Sequence, residues 1–163
     1  TTISRYLSTG NGVGRSEATL GYSKLYDLRY GENPHQTAAL FADPLASGGI
    51  AGARQLHGKE LSFNNIVDAD AAWQVVSDFA DPAAAVVKHN NPCGLAVHGD
   101  QPTAYARAFE GDSISAYGGI VGFNSQVTAA TAEAMRGVFY EIVVAPGYEP
   151  EALDRLKKRR IAT

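Results

Sequence analysis

From Asn64 onward, short apolar runs alternate with segments of helical period, and that alternation limits what the chain can fold into. Ile66, Ala69, Trp73, Val76 and Ala80 recur at spacings of three and four, which marks one apolar face of a helix ended by Asp81-Pro82. "AAAVVK" (Ala83–Lys88) then reads as a buried strand. Pro102 opens a helix, "PTAYARAFE", which Gly111 stops. "GGIVGFN" is a second apolar strand, and Thr128 caps the helix "AATAEAM", which Gly137 ends. "EIVVA" is a third strand, broken by Pro146-Gly147. "EPEALDRLKKRR" is a last helix, acidic at its start and basic at its end, as the helix dipole prefers. The order predicts an α/β fold: a layered, mostly parallel sheet with flanking helices. In such sheets ligands sit beyond the carboxyl ends of the strands. Three loops are expected there: His89–Gly94, Asn124–Gln126 and Pro146–Tyr148.

The rest of the chain is less regular. Residues 1–24 carry Gly10, Gly12, Gly14 and Gly21 and lack the Gly-Lys-Ser/Thr ending of a phosphate-binding loop, so they read as a linker. "TAALF" (Thr37–Phe41) fits a short strand closed by Asp43-Pro44, and "SGGIAGARQLHGK" fits no single element. With 163 residues, 45% hydrophobic and 19% charged, the proportions are those of one globular domain rather than a disordered chain. No apolar run approaches the roughly 20 residues of a membrane helix, and residues 1–24 hold no apolar signal segment. One cysteine, Cys93, cannot form an internal disulfide, which fits a reducing cytoplasm. A net charge of −3 gives no global attraction to nucleic acid or anionic membrane. The basic tract Lys157–Arg160 reads as a solvated helix end.

Lys88 and His89 stand together where the first strand ends. Neighbours in a regular strand point to opposite faces, so both reach one ligand only if the backbone turns there. "NNPCG" (Asn90–Gly94) is expected to make that turn. A histidine base beside a lysine cation is one reading; a surface lysine and a hydrogen-bonded histidine is the other, and the two residues alone favour neither. Cys93 reads as packing in a tight turn before it reads as a nucleophile. A deaminase-type zinc site would need a second cysteine at position 96, which is alanine, and a glutamate at position 91, which is asparagine. His35, His57, His89 and His98 show no ligand spacing, so no metal is expected. In "LRYGENPHQ" (Leu28–Gln36), Arg29 and Tyr30 offer a guanidinium fork and a phenol suited to phosphate or carboxylate, or a structural loop with Arg29 on a local acid. In "SAYGGIVGFN", the paired glycines 118 and 119 either let backbone approach a ligand or make a tight turn.

Taken in order, "LRYGENPHQ", "KHNNPCG", "SAYGGIVGFN" and "APGYEPEAL" resemble the AICAR transformylase/IMP cyclohydrolase family of purine biosynthesis, in its bacterial form. The resemblance runs from about Leu28 to about Leu156 and covers the first half of the transformylase region, with residues 25–163 as that partial domain and residues 1–24 as the interdomain linker. It implies a cytidine-deaminase-like fold and transfer of a formyl group from 10-formyltetrahydrofolate, a co-substrate, to the 5-amino group of AICAR. It implies no metal, a cytoplasmic location and a homodimer of the full-length protein, whose separate domain closes the product to IMP. By position, His89 matches the proton acceptor and Lys88 the transition-state stabiliser. Arg29 and Tyr30 match the AICAR-binding pair, Gly118 a backbone contact to substrate, and Glu141 the acid on the ribose hydroxyls. Tyr117 stands where the family usually has phenylalanine, near the folate.

The resemblance also implies that the second half of the transformylase region, with most of the folate site, is a necessary partner. The chain by itself is then expected to be inactive. Two other functions remain open at this point: a non-catalytic module that binds AICAR or a similar nucleotide, and a deaminase-like hydrolase.

Overall fold

In the computed structural model, residues 21–45 and 48–158 are described. Most of the expected linker therefore lies outside the described residues, although Ser23 and Lys24 already belong to the first strand. Strands β1 (Ser23–Leu28) and β2 (Ala38–Ala42) pair antiparallel as a separate two-stranded sheet. A 3-10 turn at Ile50–Gly52 follows, then helix α1 (Phe63–Ser77). The remaining elements are β3 (Ala83–Lys88), β4 (Asn91–Val97), α2 (Gln101–Glu110), β5 (Ile120–Phe123), α3 (Ala129–Ala134), β6 (Ile142–Val144) and α4 (Pro150–Lys157).

The second sheet has the order β4-β3-β5-β6, and β3 runs antiparallel to both its neighbours; only β5 and β6 are parallel. The sheet is thus mixed, not mostly parallel as the alternation predicts. The cause is local. Lys88 pairs with Asn91, so His89 and Asn90 alone form the turn, with φ of 54° and 64°. Two successive left-handed residues make the tight turn whose twist suits an antiparallel hairpin. The chain returns at once as β4, where a βαβ unit would have needed a crossover. Pro92 and Gly94 therefore lie in a strand, although "NNPCG" reads as loop. An edge strand tolerates a proline, and β4 is an edge. Gly94 lies under α2, where a methyl group would collide with the carbonyl of Ala108.

β3 is buried on both faces, as its unbroken apolar run implies. Ala84 and Val86 face a cluster with Tyr105, Phe123, Met135, Tyr140 and Leu156, under α2, α3 and α4. Ala83, Ala85 and Val87 face Ala69, Ala72 and Val76 of α1 on the other side. Alanines on both elements let α1 lie close to the sheet. At Gly122 a Cβ would stand 2.7 Å from the Ala72 carbonyl oxygen, so only glycine fits beneath the helix.

The helix ends follow their caps. Ser62 accepts from the Asn65 amide while the Asn65 side chain accepts from the Ser62 amide, starting α1 one residue before the apolar period suggests. Thr128 caps α3 as expected, and Asp100 caps α2 with Pro102 in its first turn. α4 ends at Lys157, and the arginines 159 and 160 of the basic tract lie outside the described residues.

Because β3 is antiparallel to β5, its carboxyl end lies beside the amino ends of β5 and β6. The three loops grouped by the sequence argument are thereby separated. Asn124 sits at the amino end of β3, where its amide reaches the Ala83 carbonyl, and Val127 bridges Tyr148 nearby. The His89 turn is at the opposite end of β3.

Candidate functional site

Strand polarity brings most of the sequence-selected residues to one end of the sheet, an edge formed by the carboxyl terminus of β3 and the amino termini of β5 and β6. Lys88 is the last residue of β3, half-buried, and its ammonium donates to the Tyr117 carbonyl at 2.9 Å. His89 follows in the turn, exposed and left-handed. A non-glycine residue at positive φ is uncommon and costs conformational energy. Among the described residues only His89 and Asn90 do this. The turn is held by Asp68 of α1, whose carboxylate accepts from the amides of Asn90 at 2.7 Å and His89 at 3.3 Å.

Tyr117 and Gly118 precede β5. The Tyr117 ring is 62% exposed and tilts against Phe139 at 5.6 Å between centroids, giving an aromatic surface beside Lys88. Gly118 has φ of 74°, a conformation other residues rarely adopt. Its amide donates to the Phe139 carbonyl at 2.8 Å and is thereby committed within the chain.

Glu141 precedes β6, and its amide donates to Gly119. Its carboxylate accepts from the Asn65 side chain at 2.6 Å. Asn65 is buried and completes the α1 cap with its own oxygen, so one asparagine fixes both the helix start and the acid. Asn65 and Asp68 are three apart on α1 and so share a face. The first turns of α1 therefore tie the Glu141 and His89 ends of the edge together. Sequence reasoning selects neither residue. The Ser62-x-x-Asn65 pattern signals a cap, but nothing in it signals the distant carboxylate.

Arg29 and Tyr30 reach this edge through backbone. The Arg29 amide donates to Leu61 and the Phe63 amide donates to Tyr30, on either side of the α1 cap. The Arg29 guanidinium lies 4.7 Å from the centre of the Tyr30 ring and donates to its hydroxyl at 3.2 Å. Arg29 Nε is buried and makes no hydrogen bond. Among the described residues no acid pairs with the Arg29 guanidinium, whose hydrogen bond goes to Tyr30. A buried donor without a partner costs about 1–3 kcal/mol.

Cys93 stands in β4, packed against the core, and burial pushes its thiol up, away from the thiolate a nucleophile needs. Among the described residues no three His, Cys, Asp or Glu side chains gather as a metal requires, and no helix is long and apolar enough to cross a membrane. A cleft of about 700 Å³ lies elsewhere, between the 3-10 turn, Trp73, Tyr148 and the free side of β6. Lys88, His89, Tyr117 and Gly118 do not line it. The candidate site is instead an open shelf carrying a cation, an imidazole, a carboxylate and an aromatic pair.

The comparisons with known proteins agree with the motifs. Residues 1–162 match the family model described as the AICARFT/IMPCHase bienzyme. The chain is 48% identical over 159 residues to a bifunctional purine biosynthesis protein PurH from Thermoanaerobacter sp. (strain X514), covering 97% of this chain and 31% of the relative. It is 52% identical over 143 residues to the PurH protein of Oceanobacillus iheyensis, covering 87% of this chain and 28% of that protein. The PurH protein of Bacillus mycoides is 48% identical over 160 residues, again covering 97% of this chain and 31% of the relative. The chain thus spans about a third of the length of the curated relatives it matches, and with nearly all of its residues inside the family model it belongs to the AICARFT/IMPCHase bienzyme family.

Proposed function

We propose that this chain supplies part of a formyltransferase site in purine biosynthesis, which passes a formyl group from 10-formyltetrahydrofolate to the 5-amino group of AICAR. The observation that carries the reading is the placement of Lys88 and His89 at the turn-terminated end of β3, beside the Tyr117–Gly118 backbone. The family membership and the PurH relatives support it.

The chemistry explains the residue types. The AICAR amine is conjugated with its ring and carboxamide and is a weak nucleophile. As its nitrogen attacks the formyl carbon, the imidazole of His89 takes the amine proton, a contribution of about 10²–10⁴-fold. The carbonyl oxygen becomes an oxyanion, which the Lys88 ammonium stabilises by a few kcal/mol. Collapse of the adduct breaks the bond from carbon to N10 of the folate, the departing nitrogen takes up the proton, and formyl-AICAR and tetrahydrofolate are left. In this reading Glu141 meets the ribose hydroxyls, and Arg29 with Tyr30 an anionic group of the nucleotide; the guanidinium and phenol held together beside the α1 cap support that role. Tyr117 offers a ring face to the folate.

In this reading residues 25–163 are the first half of a transformylase domain of cytidine-deaminase-like fold, and residues 1–24 lead into it from a cyclohydrolase domain. The mixed sheet with helices on both faces supports the fold assignment at its coarser level. The complete protein is cytoplasmic, dimeric and independent of metal, and a second half provides most of the folate site. The test is replacement of His89 by alanine in the complete protein. Turnover should fall at least about 100-fold with AICAR binding kept within a few-fold; a variant that turns over near the normal rate rejects the assignment.

A further inference from the structure

Resting on that reading, we infer that Asp68 is the positioning residue for His89. In a two-residue hairpin, the amides of the two turn residues lie outside the strand ladder. Here those are the amides of His89 and Asn90, and both donate to the two oxygens of the Asp68 carboxylate. Successive amides in a turn form a concavity suited to an anion. In this fold a helix of the same chain fills it.

The arrangement has two consequences for chemistry. The first is orientation. Left-handed backbone at two non-glycine residues is unfavourable by itself, and it decides where the His89 side chain leaves the sheet. Asp68 is anchored on α1, whose face is packed on β3 and β5 through Ala69, Ala72 and Gly122. The imidazole is therefore referenced to the rigid layer. The Asn91 side chain adds a bond to the His89 carbonyl at 2.8 Å, fixing the turn from the other side. The second consequence is selection. The His89 and Asn90 amides would otherwise be donors for a developing oxyanion. Asp68 occupies them, which leaves the oxyanion to Lys88 and puts a negative charge behind the turn.

The same helix links this turn to the substrate-binding end. Asn65, one turn earlier, donates to Glu141. Movement of α1 is thus felt at both ends of the edge, whereas loss of the Asp68 carboxylate alone releases only the His89 end.

The experiment measures kcat and KM for AICAR in the complete protein, with thermal unfolding as a control, for Asp68→Asn, Asp68→Glu, Asp68→Asn combined with Asn90→Gly, and His89→Ala. Asp68→Asn presents an NH2 group to one of the two amides, so kcat should fall about 10–100-fold with KM changed less than about threefold. Glycine adopts positive φ freely, so Asn90→Gly in that background should recover several-fold in kcat without restoring the carboxylate. Asp68→Glu retains both oxygens and should also lie above Asp68→Asn. Loss shared equally between kcat and KM, or no recovery with Asn90→Gly, marks a merely structural role and overturns the inference. Normal turnover in Asp68→Asn with an inactive His89→Ala overturns it too, while leaving the formyltransferase reading intact. An active His89→Ala removes that reading and this inference together. If Asp68→Asn fails to fold, Asp68→Glu and Asn90→Gly decide by the same kcat-against-KM comparison.

Discussion

The two ends of β3 are built from similar residue types and behave differently. At the amino end Asn124 closes every bond it can reach: its oxygen accepts from the Ala83 amide at 2.8 Å, and its NH2 donates to the carbonyls of Phe79 and Asp81. The His98 amide donates to Pro82 beside it. At the carboxyl end the turn amides are satisfied just as fully, by Asp68, yet Lys88 and His89 keep their functional ends within reach of solvent. The amino end commits its side chains to backbone. The carboxyl end commits one side chain to backbone so that two others can face outward in a conformation the chain would not choose. In the proposed function the first end serves stability and the second serves chemistry.

The largest expected effect exploits that contrast. Lys88→Met keeps an unbranched stem and removes the ammonium. In the complete protein it should lower formyl transfer by about 10²–10³-fold, the usual result of removing one oxyanion donor. Its unfolding free energy should move by less than about 1.5 kcal/mol, since the lost bond to Tyr117 is open to solvent. Asn124→Ala should do the reverse. Three bonds to backbone are lost at roughly 1 kcal/mol each, so denaturant unfolding should show a loss of about 2–3 kcal/mol with little change in the AICAR KM of the molecules that remain folded. A Lys88 variant that is unstable but active would erase the distinction between the two ends.

Sequence and structure agree unevenly, and the pattern has a physical cause. Thr128, Pro102 and the α1 face from Ile66 to Val76 lie where propensity and period place them, because caps and helical faces depend on residues within one turn; the helix stops at Ser77, however, so Ala80, the last position of the expected face, is exposed beyond it and Asp81-Pro82 does not end it. Strand direction is different. It depends on a two-residue turn made by His89 and Asn90, and neither is the glycine that usually announces such a turn. Pro92 and Gly94 then disguise β4 as loop. β1 escapes the sequence reading altogether: its residues are exposed except Leu28, so no alternation of apolar and polar marks it. The site residues come together for a reason other than the one the sequence suggests. Motifs name Lys88, His89, Tyr117, Gly118 and Glu141, but the carboxyl-end rule for parallel sheets would set Asn124 beside them. Asn65 and Asp68 are invisible for another reason. Their partners lie 76 and about 20 residues away in sequence, and a helix written "NNIVDAD" does not say which of its polar positions faces a distant strand end.

A smaller effect tests whether the layer beneath the site must be rigid. Gly122→Ala brings a Cβ within 2.7 Å of the Ala72 carbonyl oxygen, so α1 must lift from β5. Overpacking of this kind costs about 1–3 kcal/mol. Since α1 carries both Asn65 and Asp68, the displacement should also lower kcat more than its stability loss alone explains. Equal damage from a control at Gly94, where the collision is with α2 on the far face, would show that α1 has no special tie to the site. Stability of both variants is read from denaturant midpoints at constant m-value.

The smallest expected effect concerns the amino-end side of the comparison and its pH dependence. Asp100 caps α2; the Thr103 hydroxyl and then the Thr103 amide donate to its carboxylate and hold its carboxyl below the ordinary range. Asp112 is lowered in the same way by Ser115. For a group whose folded value is depressed, the stabilisation is complete above its unfolded value, near pH ~4. It is lost as pH falls through the lower folded value. Both carboxylates are fully exposed, so screening keeps the effect small. Asparagine is as good a cap as aspartate but does not titrate. The stability difference between the natural chain and Asp100→Asn should therefore be constant from about pH 8 to about pH 5 and change only below about pH 4. Addition of salt should reduce the change further. A difference that instead varied between about pH 6 and pH 8 would show that the Asp100 carboxylate is not the group responsible. The helix cap would in that case not be the source of the pH dependence, and the division between a structural end and a chemical end would no longer hold.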